Sequence, residues 1–454
     1  MSIEKNNFSF GIAQEIITPL ESMFPLHLKG FAGRTDSSSE VFDDIYVKAL
    51  LLRSNKDLLM VALDLTMLDF EAVDKIKSMI VKKYSLSSEQ IMITVTHSHS
   101  SVILTSKIEG YDEYVYEKIM RAVDKCYNTV VKGNISFVKG HSDVGMSRRL
   151  KTPTGEIKFA PSWDTEIDKE MFLLKITDTN GNIKGIVYNL ACHGTCLGPL
   201  NLLMCNDFMG FANKHLSKKY NDVISIYLPA NGADVKPIGC AVKDPDGDFM
   251  KDRFITCTME QADAIGKSVA NEIEDIIIKN EFVEIEPEFK TSYQAVYLFG
   301  PKPDFKDAEA KYKKFSDIRD DELAKTGEVT HMTDYSYNRF KNHLERLTSG
   351  NYNSTISVPF AEWYLGNDVK MIAIACEPSS QFGLMIKKVF NDDRTMILGY
   401  TNGTIGYICN SVQHQEGGYE AESLINRGLA GPLPAETDSV ICNAVKALHF
   451  DLKD

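Results

Sequence analysis

The chain reads as an α/β protein of the α+β kind, with mixed sheets flanked by helices. Two observations predict this. Apolar runs come in pairs around turn signals, as antiparallel neighbours do. Other runs stand beside stretches with helical spacing of apolar residues, as strand–helix units do. Ile45–Leu52 and Leu58–Leu65 flank Asn55-Lys56-Asp57 and read as a hairpin or two neighbouring strands. Glu71–Tyr84 has helical spacing and precedes the strand Ile91–Val95; Asp112–Val131 is a second amphipathic helix. Met171–Ile176 and Ile183–Leu190 join through Asp178-Thr179-Asn180-Gly181, a hairpin turn. Asn206–Tyr220 reads as a helix capped by Asn206 or Asp207, followed by the strand Val223–Leu228. Arg253–Asn280 reads as a long helix and Ile285–Leu298 as extended chain. Ile356–Leu365 and Val369–Ala375 form another hairpin around Gly366-Asn367-Asp368. A helix Phe382–Phe390, a strand Thr395–Tyr400 and a closing helix Asp438–Leu448 follow. Without repeats or low-complexity linkers, the expectation is one domain over 1–454. The charge-rich stretch around 300–350 is a helical excursion on its surface.

The 454 residues are 43% apolar and 25% charged, which fits a globular chain with ample core. A formal net charge of −13 argues against nucleic acid as a partner, because phosphate contacts need clustered Lys and Arg. It also argues against docking on anionic lipid. No run is long and apolar enough for a membrane span, and Met1–Asn7 lacks the apolar core of a signal peptide. Nine cysteines without CxxC spacing fit reduced thiols, so the expected compartment is the cytoplasm. A Cys/His zinc site at Cys192, Cys196 and Cys205 is the weaker reading of that cluster.

The richest stretch is Thr96-His97-Ser98-His99-Ser100, at the end of the strand Ile91–Val95. Residues two apart on a strand share a face, so both imidazoles can aim at one point. They can be two metal ligands, one ligand and one proton carrier, or a pair of hydrogen-bonded loop histidines. Three further loops share this design of strand end followed by polar chemistry. They are Cys192-His193-Gly194-Thr195, Asn231-Gly232-Ala233-Asp234 and Cys376-Glu377-Pro378. Two histidines and a carboxylate from three strand ends make a plausible catalytic zinc set with an open position. Singly, each has a plainer role: His193 bound to a carbonyl, Glu377 paired with an arginine such as Arg148, Asp207 as a cap, Asp234 as a loop organiser. His141, His215, His331, His343, His414 and His449 have no supporting neighbours.

In this order the motifs resemble the neutral/alkaline (non-lysosomal) ceramidase family. Glu377-Pro378 with Phe382-Gly383-Leu384 adds to the likeness. So do Tyr400-Thr401-Asn402-Gly403 through Tyr407, Gly417-Gly418-Tyr419-Glu420, Asp43 through Ala49, and Ala62-Leu63-Asp64. The resemblance implies a zinc-dependent amidase domain. It implies zinc held by His97, His193, Glu377 and Tyr407, a catalytic His99, an active-site Tyr419 and an Arg148 facing the scissile group. From the sequence itself Tyr407 reads as a strand aromatic in the core. The implied reaction is attack of a zinc-activated water on an amide or related acyl carbonyl. His99 or Tyr419 then moves the proton, and Arg148 or Tyr419 stabilises the oxyanion. A nitrogen/oxygen ligand set with a phenolate also admits iron or manganese.

Two departures set this chain apart. Lys236 stands where ceramidases carry the serine usually given the catalytic role. It cannot act as a hydroxyl, but it can be a cation for a carboxylate or oxyanion, a base, or a solvated side chain. The chain reaches Asp454 without the immunoglobulin-like domain of ceramidases, and that domain is expected to be absent. The expected substrate is therefore a small-molecule amide or acyl compound, smaller or more polar than ceramide. Two alternatives stand beside it. One is a genuine ceramide amidohydrolase with an apolar groove built partly by Phe299–Leu347. The other is a non-catalytic metal-binding module.

Overall fold

The computed structural model describes residues 8–104, 108–390 and 393–450; Met1–Asn7, read above for targeting, lies outside them. The architecture is four layers: helices, a large sheet, a smaller sheet, helices. The large sheet has nine strands. Eight run in the order Ile224–Pro229, Ile183–Leu190, Glu170–Asp178, Val131–His141, Ser9–Ile16, Tyr46–Arg53, Asp57–Leu63 and Ile91–Val95. The ninth, Val283–Glu284, pairs with Val131–His141. Pairing along that order is antiparallel except at the two ends, where Ile224–Pro229 and Ile91–Val95 each lie parallel to their neighbour. A parallel pair needs a crossover. The helices Phe70–Tyr84 and Asp207–Lys219 lie within the two crossovers.

Period-two alternation decides which layer each strand residue joins. Leu51, Val61 and Ile93 face the helices Phe70–Tyr84 and Tyr111–Asn128 through Ile76, Ile80, Ile119 and Val123. Leu50, Met60 and Met92 point the other way and meet Trp363, Met371 and Met396 of the second sheet. That sheet runs Lys290–Phe299, Thr355–Gly366, Val369–Ile374, Thr395–Leu398, with its last pair parallel. Its outer residues Ile372, Ile374 and Ile397 pack on Phe382, Ile386, Ile441 and Val445 of the helices Ser380–Phe390 and Thr437–Phe450. Both central sheets are therefore covered on both faces, and their strands read as near-continuous apolar runs.

The three anticipated hairpins form, with antiparallel register throughout. The helix expected over Arg253–Asn280 begins only at Met259. Arg253 and Phe254 pair instead with Val242 and Ala241. Thr258 and Gln261 close a capping box that fixes the true start: Thr258 N donates to Gln261 Oε1 at 2.9 Å and Gln261 N to Thr258 Oγ1 at 3.3 Å. At the helix Asp207–Lys219, Asn206 occupies the cap position, but its side chain accepts from Thr96 Oγ1 at 2.7 Å. The excursion is a pair of helices, Phe305–Thr326 and His331–Thr348, joined by stacked Phe315 and Phe340. Among the described residues no helix is long and apolar enough to cross a membrane.

Candidate active site

The C-terminal ends of the parallel strands from both sheets meet at one place. Backbone bonds tie them: Ala230 N to Leu190 O at 3.0 Å, Gly399 N to Pro229 O at 2.9 Å, Tyr400 N to Cys376 O at 2.8 Å. The bridge between Thr94 and Thr401 spans the two sheets. Polar loops following these strands are thus held by rigid scaffold while facing a common space.

His97 leaves its strand with a φ of 58°, in the left-handed region, which turns the chain back toward the His193 loop. Ser98 bridges to Gly194, and His99 N donates to Gly194 O at 3.0 Å. A Cβ at Gly194 would lie 2.9 Å from His97 O and 2.6 Å from Met209 Cε, so this approach requires glycine. His193 N donates to Val235 O at 3.0 Å, which docks the third loop. Asp234 organises the fourth: its carboxylate accepts from Ser380 N at 2.7 Å and Gln413 Nε2 at 2.8 Å. Asp207 likewise holds the N–H groups of Cys196, Leu197 and Phe208. Both are loop organisers.

Three buried imidazoles converge. His97 Nε2 lies 3.0 Å from His193 Nε2 and 3.1 Å from His99 Nε2. Backbone carbonyls fix two of the rings: His97 Nδ1 donates to Thr66 O at 2.7 Å and His193 Nδ1 to Gly232 O at 3.1 Å. Each neutral ring then presents a bare Nε2 lone pair to the centre. Burial lowers all three basicities, His97 to about 3, and the nearby Arg148 charge acts in the same direction. Glu377 Oε2 stands 3.4 Å from His97 Nε2 and 3.8 Å from His193 Nε2, and it has no hydrogen-bond partner. Burial pushes this carboxyl up to about 7, against the pull of Arg148. Bare nitrogens and an orphaned carboxylate oxygen around one point are what a bound cation satisfies. The group His97, His99 and His193 can hold a metal ion.

Tyr407 pairs with Glu377 across a short parallel ladder and stacks its ring on His193, centroids 6.4 Å apart. Its phenol lies beside both Glu377 and Arg148. Tyr419 meets Tyr407 edge-on at 5.5 Å. Arg148 lies under both rings and pairs with Glu420, Nε to Oε1 at 2.7 Å, so its partner is Glu420 and not Glu377. Glu420 also holds Arg149 at 2.9 Å. Lys236 is buried and donates to both Thr195 O and Thr195 Oγ1 at 2.9 Å. His99, Arg148, Lys236, Tyr407 and Tyr419 all line one pocket of about 350 Å³, walled by Phe31, Phe159 and Phe254 and reached by Met332 and Tyr335 of the helical excursion.

The site also contains residues that sequence reasoning passed over. Tyr400 stacks on His97 with centroids 4.2 Å apart; the sequence marks it as a strand end and the start of a family-like motif, with no site role. Glu420 and Thr195 hold Arg148 and Lys236, and Arg34 donates to His99 O at 2.7 Å. Their signal was position: Thr195 and Glu420 each stand inside or beside a motif already singled out. Arg34 carries no comparable mark. The cysteine cluster does not assemble as Cys192, Cys196 and Cys205; the closest thiols are Cys240 and Cys257, at 3.2 Å.

The chain is a four-layer α/β scaffold with this polar focus at the ends of its strands. Residues 8–295 match the neutral/alkaline non-lysosomal ceramidase N-terminal family, and the chain belongs to that family. It is similar to neutral ceramidase B of Dictyostelium discoideum, 25% identical over 175 residues, covering 32% of this chain and 23% of that protein. It is also similar to the neutral ceramidase of Pseudomonas aeruginosa, 20% identical over 253 residues, covering 51% of this chain and 37% of the relative. The matched stretches thus span 23% and 37% of these relatives' length. In structure it resembles neutral ceramidase from Pseudomonas aeruginosa, with a TM-score of 0.71 at 13% identity, covering 98% of this chain and 74% of that one. A ceramidase complexed with C2 gives a TM-score of 0.73 at 14% identity, covering 99% and 75%.

Proposed function

We propose that this protein is a metal-dependent amidohydrolase of the ceramidase type, acting on an amide or related acyl compound smaller or more polar than ceramide. The observation that carries it is the convergence of His97 and His193, each anchored through Nδ1, on the orphaned Glu377 Oε2. His97, His193 and Glu377, with Tyr407 beside them, would hold zinc. Bound there, the ion would supply Lewis acidity at an acyl carbonyl and would lower the pKa of a water toward neutrality. His99 differs from its neighbours because its Nδ1 has no partner. It is the imidazole free to carry a proton between water and leaving group. Arg148, with an unpartnered buried Nη2, faces the pocket as a donor for the developing oxyanion. Tyr419, at the exposed edge of the pocket, is the second proton donor.

The pocket volume lies at the small end of the range for small-molecule sites, which favours a compact substrate over a two-chain lipid. The aromatic walls suit one apolar acyl group. Ceramide itself is the second reading, supported by the names of the relatives and by the contribution of Met332 and Tyr335 to the pocket. The test is amine release from a panel of short N-acyl compounds and a fluorescent ceramide, together with metal content by mass spectrometry. Turnover of short amides by protein carrying about one metal per chain is expected. Preference for the ceramide selects the second reading, and metal without turnover of either leaves a binding module.

A further inference from the structure

We propose that the substrate carries a carboxylate and that Lys236 receives it; this rests on the amidohydrolase reading and names its substrate class. Lys236 is 6% exposed and lines the same pocket as His99 and Arg148. An ammonium has three donors. Two are used on Thr195, a carbonyl and a hydroxyl, both neutral. Among the described residues no carboxylate lies within ion-pair distance of its Nζ. A buried charge without a counter-ion is costly, and proteins keep one where a ligand completes it.

The surroundings do not supply that counter-ion. Asp207 is spent on the backbone N–H groups of Cys196, Leu197 and Phe208. Glu420 is shared by Arg148 and Arg149. Arg34 donates only to backbone carbonyls, those of Lys29 and of the pocket-lining His99, Gly198 and Pro199. The pocket therefore has an excess of positive charge set beside its aromatic lining: Arg34 lies by Phe31, Arg148 by Phe159 and Lys236 by Phe254.

One free N–H and one positive charge match a singly charged carboxylate, whereas a phosphate dianion would keep a net negative charge and most of its acceptor sites without donors. The place of Lys236 limits the distance from carboxylate to scissile bond. Lys236 shares one pocket of about 350 Å³ with His99 and bonds to Thr195, two residues from His193, which suits a short spacer between them. The class is an N-acyl amino acid or a similarly short acidic amide, with its acyl chain on the aromatic walls.

The test uses the full chain as purified, with a probe that cannot be cleaved: N-hexanoylalanine with its amide N–H replaced by CH2, as the acid and as the neutral carboxamide. Calorimetry on the parent is expected to show the acid binding at least about tenfold tighter than the carboxamide. K236M should abolish that preference and K236R should keep part of it, with metal content and melting unchanged as controls. Equal binding of the two probes by the parent overturns the proposal, as does an acid preference that survives in K236M. Should K236M fail to fold, the parent comparison and K236R still decide. A Lys236-dependent preference without turnover of any N-acyl amino acid would sink the hydrolase reading and leave carboxylate recognition standing.

Discussion

His97 and His193 face each other through Nε2 atoms 3.0 Å apart while both Nδ1 hydrogens are committed to backbone carbonyls, Thr66 O and Gly232 O. Neither neutral ring can donate to the other, so two lone pairs confront each other. A cation between them would turn that repulsion into ligation, and the carbonyl partners fix the tautomer that such ligation would need. His193→Ala and His97→Ala are expected to purify with little metal. His99→Gln should keep the metal and lose roughly 10²–10⁴ in kcat. Metal loss in the His99 variant equal to that in the other two would show that all three imidazoles are ligands.

Gly30 presses on the His99 ring from outside the loop. Its φ is 104°, and a Cβ there would lie 2.4 Å from His99 Cγ and 2.5 Å from Nδ1. Gly30→Ala therefore combines backbone strain with displacement of the proposed proton carrier. The expected result is a large fall in kcat with metal content intact. A variant of parental activity would mean that the His99 ring can move without consequence.

Glu420 carries two guanidiniums in a fully buried setting, Arg148 at 2.7 Å and Arg149 at 2.9 Å. Burial raises its carboxyl pKa, but the two arginines outweigh this and hold it below the usual range. Its contribution to stability is therefore present above the unfolded carboxyl pKa and is lost as pH falls through the folded one. Glu420→Ala leaves two buried cations without their partner, at a cost of about 3–5 kcal/mol. Urea unfolding at neutral pH should show it. A shift below about 1 kcal/mol would mean that water or Glu416 takes over the role.

The sheet frame was legible where strands are buried on both faces, because runs such as Leu58–Leu65 and Ile91–Val95 have few other places to go. The first of these runs past its strand by two residues, which ends at Leu63. Strands with mixed composition were not legible. Val131–His141 carries Gly133 and Gly140, each admitting a neighbour where a Cβ would clash: Thr177 O at 2.1 Å and Ile276 Cδ1 at 2.3 Å. Gly145–Lys151 holds two arginines that look solvent-facing until Glu420, far along the chain, neutralises them. The motif residues at strand ends do come together, since His97, His193 and Glu377 each follow a strand of the parallel ends. The role of Tyr400 was hidden although its motif stood out, because it stacks on His97 and nothing in the local pattern separates a stacking tyrosine from a core one.

Acid should loosen the segment that presents Tyr419. His414 is buried behind it and contacts Ala421 O through Nδ1 at 3.2 Å. Burial lowers this imidazole to about 4, despite the opposing effect of the Ala421 carbonyl. The unfolded chain takes up a proton as pH falls through about 6.5, whereas the folded chain resists until about 4. Between those values the unfolded state binds more protons, so stability falls as pH falls, by up to about 3 kcal/mol from this residue. His343, also lowered to about 4 by burial, adds a second contribution of the same sign. His414→Gln cannot be protonated and should remove its own share of the slope. The measurement is the urea midpoint of parent and variant at about pH 7 and about pH 5, where acid effects common to both cancel in the difference. Parallel losses in the two proteins would show that His414 is already protonated, or free to reach solvent, in the folded state. A smaller loss in the variant, with Tyr419-dependent turnover persisting further into acid, is the expected outcome.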